Sequence, residues 1–363
     1  MVADYPAPGA APVGGPQVAV SRLVPELARS GLEVIVVAPA PGSIATHRAE
    51  VADGIELIRV PTATRWSLVR RLQPWRRRVV AVIEGLRPDL VHGQGLLPGG
   101  IAVADVHGVP RAVTARGSMR ADTLAAYRGL GATSRAYLRD RLAKRAVEQA
   151  DVVISVNPDW TANMPKRPQR FVYIPNIIDD RFFNMKRTSE PGLVLFTGGA
   201  RAIKGWPLLA AAWPQVQAAV PDARLLAVGW SGGARSPLTG AGGNATTFEP
   251  WLSVEELAAR MAKASALVIP SAFEVSPIVL GEAWALGVPV VATSVGGLKA
   301  LVEGAGVVVR RREPAALASA IAEALAGGDA VQQLVDEGRR RAESHRAEAV
   351  VAAHVALYND LVQ

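Results

Sequence analysis

Short apolar runs of strand length recur along this chain, and most are followed by a stretch with helical spacing. Leu32–Ala38, Ile55–Val60, Asp89–His92, Ala112–Thr114, Val152–Val156 and Val172–Ile174 read as strands in the first half. Val194–Thr197, Leu225–Val228, Ala266–Ile269, Val288–Ala292 and Gly306–Val309 read so in the second. Strands that are apolar on both sides need cover on both sides, and intervening helices supply it. The pattern therefore predicts α/β architecture with doubly wound parallel sheets. At 363 residues the chain exceeds one ordinary core and suits two domains.

The helices are expected from Pro16, with Val20, Leu23, Val24 and Leu27 on the apolar face, then over Ser67–Leu86 and Leu97–Asp105, and along an Arg-rich stretch ending near Ala150. Pro207–Val220, a helix capped by Ser253 ahead of Glu255 and Glu256, Pro314–Gly327, Val331–Glu343 and Ala347–Leu361 follow. Phe182–Pro191 reads as the linker, giving domains over 1–183 and 184–345 and a closing helix over 346–363. In a doubly wound sheet the first strand is central. Only Met1, Val2 and Ala3 precede the Asp4-Tyr5-Pro6 turn, so a stub flanked by parallel strands on both sides is expected, with the natural protein starting several residues upstream in an apolar segment.

Composition narrows the function classes. There are no cysteines, so disulfides and thiolate chemistry are excluded. The five histidines show no zinc spacing, and no metal site is expected. No apolar run reaches the roughly 18 residues of a membrane helix, and no signal peptide is visible. Residues 1–183 hold 24 basic and 16 acidic side chains, the whole of the +8 net charge. Arg70, Arg71, Arg76, Arg77, Arg78 and the run from Arg135 to Arg145 supply much of it. This is either a basic face for anionic lipid or a diphosphate-bearing acceptor, or the solvated surface of Arg-rich helices. Nucleic acid is not expected as a partner, because the aromatics are not interleaved with the basic residues and no binding module appears.

The stretch Phe273–Gly297 carries the chemistry. Glu274 follows the strand Ala266–Ile269, and Glu282 lies seven intervening residues later on a helix stopped by Gly287 and Pro289. That places both carboxylates near the carboxyl-end rim of a parallel sheet, where such sheets bind ligands. A loop carboxylate accepts hydrogen bonds from sugar hydroxyls, a helix carboxylate can take both hydroxyls of a ribose, and N–H groups at a helix start favour phosphate. The other reading is two surface glutamates steadying a helix dipole. Gly14-Gly15 before a helix is either a bare turn or a close approach for phosphate or sugar. Gly93-x-Gly95 has the wrong spacing to Gly99 and lacks the acidic ribose partner, so no dinucleotide site is read there.

The block resembles the retaining glycosyltransferases of family 4, whose signature is Glu, seven residues, Glu, an Ala-rich turn, Gly-x-Pro-Val and Gly-Gly. Glu274, Glu282, Ala283, Gly287, Pro289, Val290, Gly296 and Gly297 match it. The resemblance implies the GT-B fold: two Rossmann-like domains facing a central cleft, the first for the acceptor and the second for the donor, with the closing helix crossing back onto the first. It implies that Glu274 contacts the donor sugar and Glu282 its ribose, with Ser276, Pro277 and Ile278 also donor-binding. Lys204, in the Lys-Gly pair after the second domain's first strand, would meet the diphosphate. The family's arginine position holds Gly199, and Arg201 is the nearest replacement. Gly14 and Gly15 would face the donor. His92 matches a strand-end histidine and is either cleft-facing or simply a satisfied strand end; the family's second histidine is Gln94 here. Arg116 stands where the family places a histidine, and is expected to face the cleft and hold the diphosphate or an anionic acceptor. Asn157 replaces a usual serine near the acceptor, and Ile174-Pro175-Asn176 matches the turn ending the first domain.

The implied activity is transfer, with retention, of a sugar from a UDP- or GDP-linked donor to an acceptor hydroxyl on a glycan, a lipid-linked or anionic glycan, or a small molecule. No cofactor is implied; the nucleotide sugar is substrate. A cytoplasmic protein, with peripheral contact at the inner membrane face through the basic first domain, is the expected setting. The alternatives are a sugar-nucleotide 2-epimerase on the same fold and an inactive sugar-nucleotide-binding protein.

Overall fold

The structure, a computed structural model, describes residues 1–52, 55–62, 72–117, 130–159, 164–230 and 245–363. It divides into two compact units, residues 1–177 with 347–363, and residues 178–346. In chain order the first unit holds α1 (Gly14–Arg29), β1 (Val34–Pro41), β2 (His47–Ala52), β3 (Ile55–Thr62), α2 (Leu72–Leu86), β4 (Val91–Gln94), α3 (Ile101–Val103), β5 (Arg111–Ala115), α4 (Leu130–Gln149), β6 (Val152–Ser155) and β7 (Phe171–Tyr173). The second holds α5 (Asp180–Asn184), β8 (Leu193–Phe196), α6 (Trp206–Ala219), β9 (Arg224–Val228), β10 (Thr246–Glu249), α7 (Val254–Lys263), β11 (Ala266–Ile269), α8 (Ile278–Leu286), β12 (Val290–Thr293), α9 (Leu298–Val302), β13 (Val307–Val309), α10 (Pro314–Ala326) and α11 (Asp329–Ala342). The closing helix, α12 (Ala347–Val362), returns to the first unit and packs on α1.

In the second unit six strands pair in the order β10-β9-β8-β11-β12-β13, all parallel. The first strand lies inside and the order reverses between β8 and β11, so the crevice for a ligand opens where those two strands end. Both faces are covered. Val194, Phe196, Ala266 and Val268 pack on one side with α6 and α10, while Leu195, Leu267 and Ile269 pack on the other with α7 and α8. Neighbouring residues of one strand thus point to opposite cores, which is why these strands read as unbroken apolar runs. Ser253 caps α7 through the expected capping box with Glu256.

The first unit's sheet runs β2-β3-β1 on one side and β4-β5-β6-β7 on the other. Val2 joins them, forming parallel bridges to Val37 of β1 and to Gly93 of β4. Its N–H donates to the His92 carbonyl at 2.8 Å and its carbonyl accepts from the Gln94 N–H at 2.8 Å. The expected central stub is therefore present, buried and parallel to both neighbours.

Three expectations are corrected, and two strands are added to those expected. The helix expected over Leu97–Asp105 is a wide turn at Gly95–Gly100 with Leu97 in extended backbone, followed by the one-turn α3; Gly95, Pro98, Gly99 and Gly100 break the helical pattern. The linker expected from Phe182 is not extended. Asp179 caps α5, and Phe182 is fully buried in the second unit's core. Two strands escape the apolar pattern: β2 is a polar edge strand, antiparallel to β3, and β10 is the far edge of the second sheet. Finally, Arg76 is not part of an exposed basic face; it is buried and ion-paired with Asp105, leaving Arg77, Arg78, Arg135 and Arg145 exposed. Arg70, Arg71, the start of the Ser67–Leu86 helix and the Gly-rich stretch Ser231–Gly243 lie outside the described residues. Among the described residues no helix is long and apolar enough to cross a membrane.

Candidate functional site

At the switch point of the second unit, the chain leaves β8 through Gly198 and Gly199, makes one tight turn at Ala202–Lys204 and enters α6. Gly205 ends that turn at φ 84°, and a Cβ there would sit 1.9 Å from the Pro270 carbonyl oxygen at the end of β11. Only a residue without a side chain allows the two strand ends to approach so closely. The Ala272 N–H donates to the Ile203 carbonyl at 2.8 Å, tying the two loops together. This close approach delivers Lys204 to Glu274: Nζ donates to Oε1 at 2.5 Å. The same carboxylate oxygen accepts from the Ser271 hydroxyl at 3.1 Å, and Ser271's own carbonyl accepts from Thr293 Oγ1 at 2.7 Å. Behind it the Glu274 carbonyl accepts from the Gly297 N–H at 2.9 Å, and Gly296, at φ 52°, leaves no room for a Cβ against that carbonyl.

Glu274 is thus a fixed carboxylate, partly exposed beside an ammonium. Lys204 and Glu274, 70 residues apart, are brought together. Ser276 and Pro277 lead into α8, which starts at Ile278; among the described residues no side chain caps its first turn, and the N–H groups that open the helix lie at the same rim. Glu282 lies one helical turn further along and is 3% exposed. Arg201 is exposed at the start of the Lys204 turn, and among the described residues no acidic side chain pairs with it. The arrangement offers Lys204 with the exposed Arg201 beside it, the Glu274 carboxylate as acceptor and a helix start around a single crevice, which suits an anionic, hydroxyl-rich ligand.

The first unit carries a second polar cluster, at the carboxyl ends of β4 and β5. Arg116 is not on the outer surface. Its Nε and Nη2 donate to Gln94 Oε1 at 3.0 and 2.7 Å, and its Nη1 to Asn176 Oδ1 at 2.5 Å. Burial lowers the guanidinium's pKa to about 10. Gln94 Nε2 lies 3.3 Å from His92 Nε2, which also meets Thr114 Oγ1 at 2.7 Å, and His92 Nδ1 meets the Tyr358 hydroxyl at 2.6 Å. His354, one turn before Tyr358 on α12, stacks at 6.0 Å from His92 and pairs its Nδ1 with the Val350 carbonyl. Burial, above all, pulls His92 well below the usual histidine range and His354 down to about 4; it also raises Tyr358. Arg116, Thr114, Asn176 and His354 line one small cavity with Ile154 and Val350.

Of the residues expected in this unit, His92 is 2% exposed and fully engaged, and Asn157 is buried with its side-chain oxygen accepting the Asp159 N–H. Asn157 therefore shapes its own turn. Gly14 and Gly15 lie exposed at the start of α1. Sequence reading missed Tyr358 and His354 as partners of this cluster. The one signal was two ring-bearing polar residues four apart within the apolar run Val350–Leu357 and at its end.

The buried histidines fix a pH response. A histidine whose folded pKa lies below its unfolded value of about 6.5 binds its proton more readily when unfolded. Its contribution is therefore harmless above that value and destabilising as pH falls toward the folded value, about 4 for His354. His354 alone should remove about 3 kcal/mol between pH 7 and pH 4. Thermal unfolding across that range should show this loss, and His354→Leu should flatten the profile; an unchanged slope would contradict the assignment.

Residues 191–327 match the family model described as glycosyl transferases group 1, and residues 14–176 match the one described as glycosyl transferase 4-like domain. The D-inositol 3-phosphate glycosyltransferase of a Nocardioides species is 29% identical, covering 86% of this chain and 78% of its own. Among solved structures, sucrose-phosphate synthase from Thermosynechococcus elongatus superposes with a TM-score of 0.81 at 24% identity over 99% of this chain and 98% of that one. HepE of Anabaena, solved in complex with UDP-glucose, gives 0.71 at 17% identity over 98% and 99%. Chains of this architecture have the GT-B fold, and this one shares it.

Proposed function

Because the chain belongs to the group 1 glycosyl transferases, we propose that it moves a sugar from a nucleotide diphosphate sugar to an acceptor hydroxyl, with retention at the anomeric carbon. The observation that carries this reading is the Lys204–Glu274 pair at the switch point beside the uncapped start of α8. With donor in the crevice, Lys204 turns to the diphosphate, assisted by the α8 N–H groups and Arg201, and Ser276, Pro277 and Ile278 follow its contour. Glu274 accepts hydrogen bonds from the sugar, and Glu282 takes the ribose hydroxyls. The bond from the anomeric carbon to the diphosphate oxygen breaks as the acceptor oxygen bonds to that carbon on the same face. The acceptor's proton passes to the departing phosphate oxygen, whose charge Lys204 and the helix start stabilise.

HepE's complex with UDP-glucose supports a uridine donor. An acceptor carrying an anionic group fits Arg116, whose cation is met among the described residues only by neutral amide oxygens; the phosphate in the names of the inositol and sucrose relatives points the same way. The family assignment does not favour the epimerase or inactive-binder readings.

A panel of UDP- and GDP-hexoses read by thermal shift identifies the donor, and the product's anomeric coupling then reads the stereochemistry. An inverted product, or no stabilisation by any nucleotide sugar, would sink the proposal. The two glutamates should separate. Glu282→Ala should weaken binding of the free nucleotide roughly tenfold or more, the worth of a hydrogen bond to a charged group. Glu274→Gln should leave nucleotide affinity near that of the parent and depress transfer instead. If both variants bind nucleotide and turn over normally, neither carboxylate contacts the donor as proposed.

A further inference from the structure

Arg116 has five N–H donors and no acceptor. Its partners in the structure are two amide oxygens, from Gln94 and Asn176. Because arginine only donates, the Gln94 atom facing it must be the oxygen. The Gln94 nitrogen is then the atom facing His92, and an amide nitrogen also only donates. His92 Nε2 must therefore carry a lone pair, shared by Gln94 at 3.3 Å and the Thr114 hydroxyl at 2.7 Å. A neutral imidazole with a bare Nε2 holds its proton on Nδ1, and that N–H donates to the Tyr358 oxygen at 2.6 Å. One orientation at each step dictates the next, from the strand ends to the closing helix. His354 packs its ring against both His92 and Tyr358, so α12 closes the cluster from one side.

We propose that Gln94, His92 and Tyr358 are positioning residues that set the direction of the Arg116 guanidinium, so that docking of the closing helix holds Arg116 ready for an anion on the substrate. The mutual orientation of these groups stands on geometry alone; the anion rests on the glycosyltransferase reading above. Three of the five guanidinium N–H groups are taken by the two amides. Two N–H donors remain outside those bonds, the number a phosphate or carboxylate takes in bidentate pairing. The charged groups around the cluster are Arg116 itself, from the end of β5, the buried Met1 ammonium, which also acts on His92, and the titratable rings His92 from β4 with His354 and Tyr358 from α12.

The test uses the full chain labelled with 15N. In the parent protein His92 Nε2 should resonate as an unprotonated ring nitrogen and Nδ1 as a protonated one; the opposite tautomer overturns the relay at once. Gln94→Glu keeps an oxygen toward Arg116 but also places one toward His92, so Nε2 should acquire a proton. A ring unchanged in that variant overturns the proposal. Tyr358→Phe keeps the ring packing and removes only the hydroxyl. It should shift the Arg116 Nε–H signal, identified by its loss in Arg116→Lys, and speed its exchange with water. An unmoved signal in folded Tyr358→Phe protein overturns the link. Transfer is measured in parallel with the nucleotide sugar found in the thermal-shift panel, and kcat/KM of Tyr358→Phe should fall roughly tenfold. Moved signals with unchanged transfer would uphold the relay and remove Arg116 from the reaction, which keeps the two readings apart.

Discussion

Lys204→Ala is expected to lower kcat at least about a hundredfold, the cost of removing one preorganised group that meets charge developing on a leaving group. The reason runs from the fold outward. Lys204 is placed by a single turn after the central strand β8, and the opposite loop, after β11, presents Glu274 to it at 2.5 Å. In the proposed reaction the diphosphate gains negative charge as it departs. Lys204 is the cation that Glu274 holds at the switch point, and Arg201 is exposed. The loss should therefore appear in kcat with donor saturating, and free nucleoside diphosphate should also bind more weakly. Folding should survive, because Lys204 is itself 30% exposed and Glu274 retains the Ser271 hydroxyl. Steady-state kinetics beside a thermal melt checks both halves. A kcat within threefold of the parent, in a folded variant, would mean that the diphosphate is met elsewhere.

Gly205→Ala should have the largest effect on stability. A left-handed backbone conformation costs a residue with a Cβ roughly 1–2 kcal/mol, and forcing atoms into a packed site typically adds about 1–3 kcal/mol. The new carbon would fall 1.9 Å from the Pro270 oxygen, so one strand end must move. Together these predict about 2–5 kcal/mol, which for a unit of this size is a fall of roughly 5–15 °C in melting temperature. The displacement also separates the loop bearing Lys204 from the loop bearing Glu274, so residual transfer should fall even in the folded fraction. Calorimetry on the purified variant decides it: a melting temperature within two degrees of the parent would show that the turn relaxes freely.

The parts of this molecule that were legible in the sequence are those governed by local rules. Buried parallel strands such as Val290–Thr293 announce themselves because both faces are apolar, and Ser253 with Glu256 is a cap whose reciprocal bonds need only four residues. Lys204 and Glu274 were legible as chemistry but their contact was not, since it depends on two loops meeting across a switch point. Strands β2 and β10 escaped because edge strands need no apolar face and can carry residues such as Arg48, Glu50 and Thr247. Phe182 looked like linker because a short capped helix has too few residues to show a period. Tyr358 and His92 lie 266 residues apart, and nothing in either neighbourhood names the other.

The first unit is built from two stretches of chain, 1–177 and 347–363, with the whole of the second unit between them. During synthesis the sheet that carries His92 and Arg116 emerges first, while the helix that satisfies it is still unmade. At about 5–20 residues per second the ribosome needs roughly 10–35 s to add the intervening segment. Throughout that interval His92 lacks the Tyr358 hydroxyl, and the apolar face that α12 covers with Val350 and Leu357 is open to water. The second unit is continuous in sequence and needs no segment from α12 to complete it. A released chain that ends at Arg346 should accordingly protect the second unit from protease and leave the first unit open to cleavage. The helix that completes the first unit is thus made only after the entire second unit, and an ordered Arg116 marks a chain translated through Tyr358.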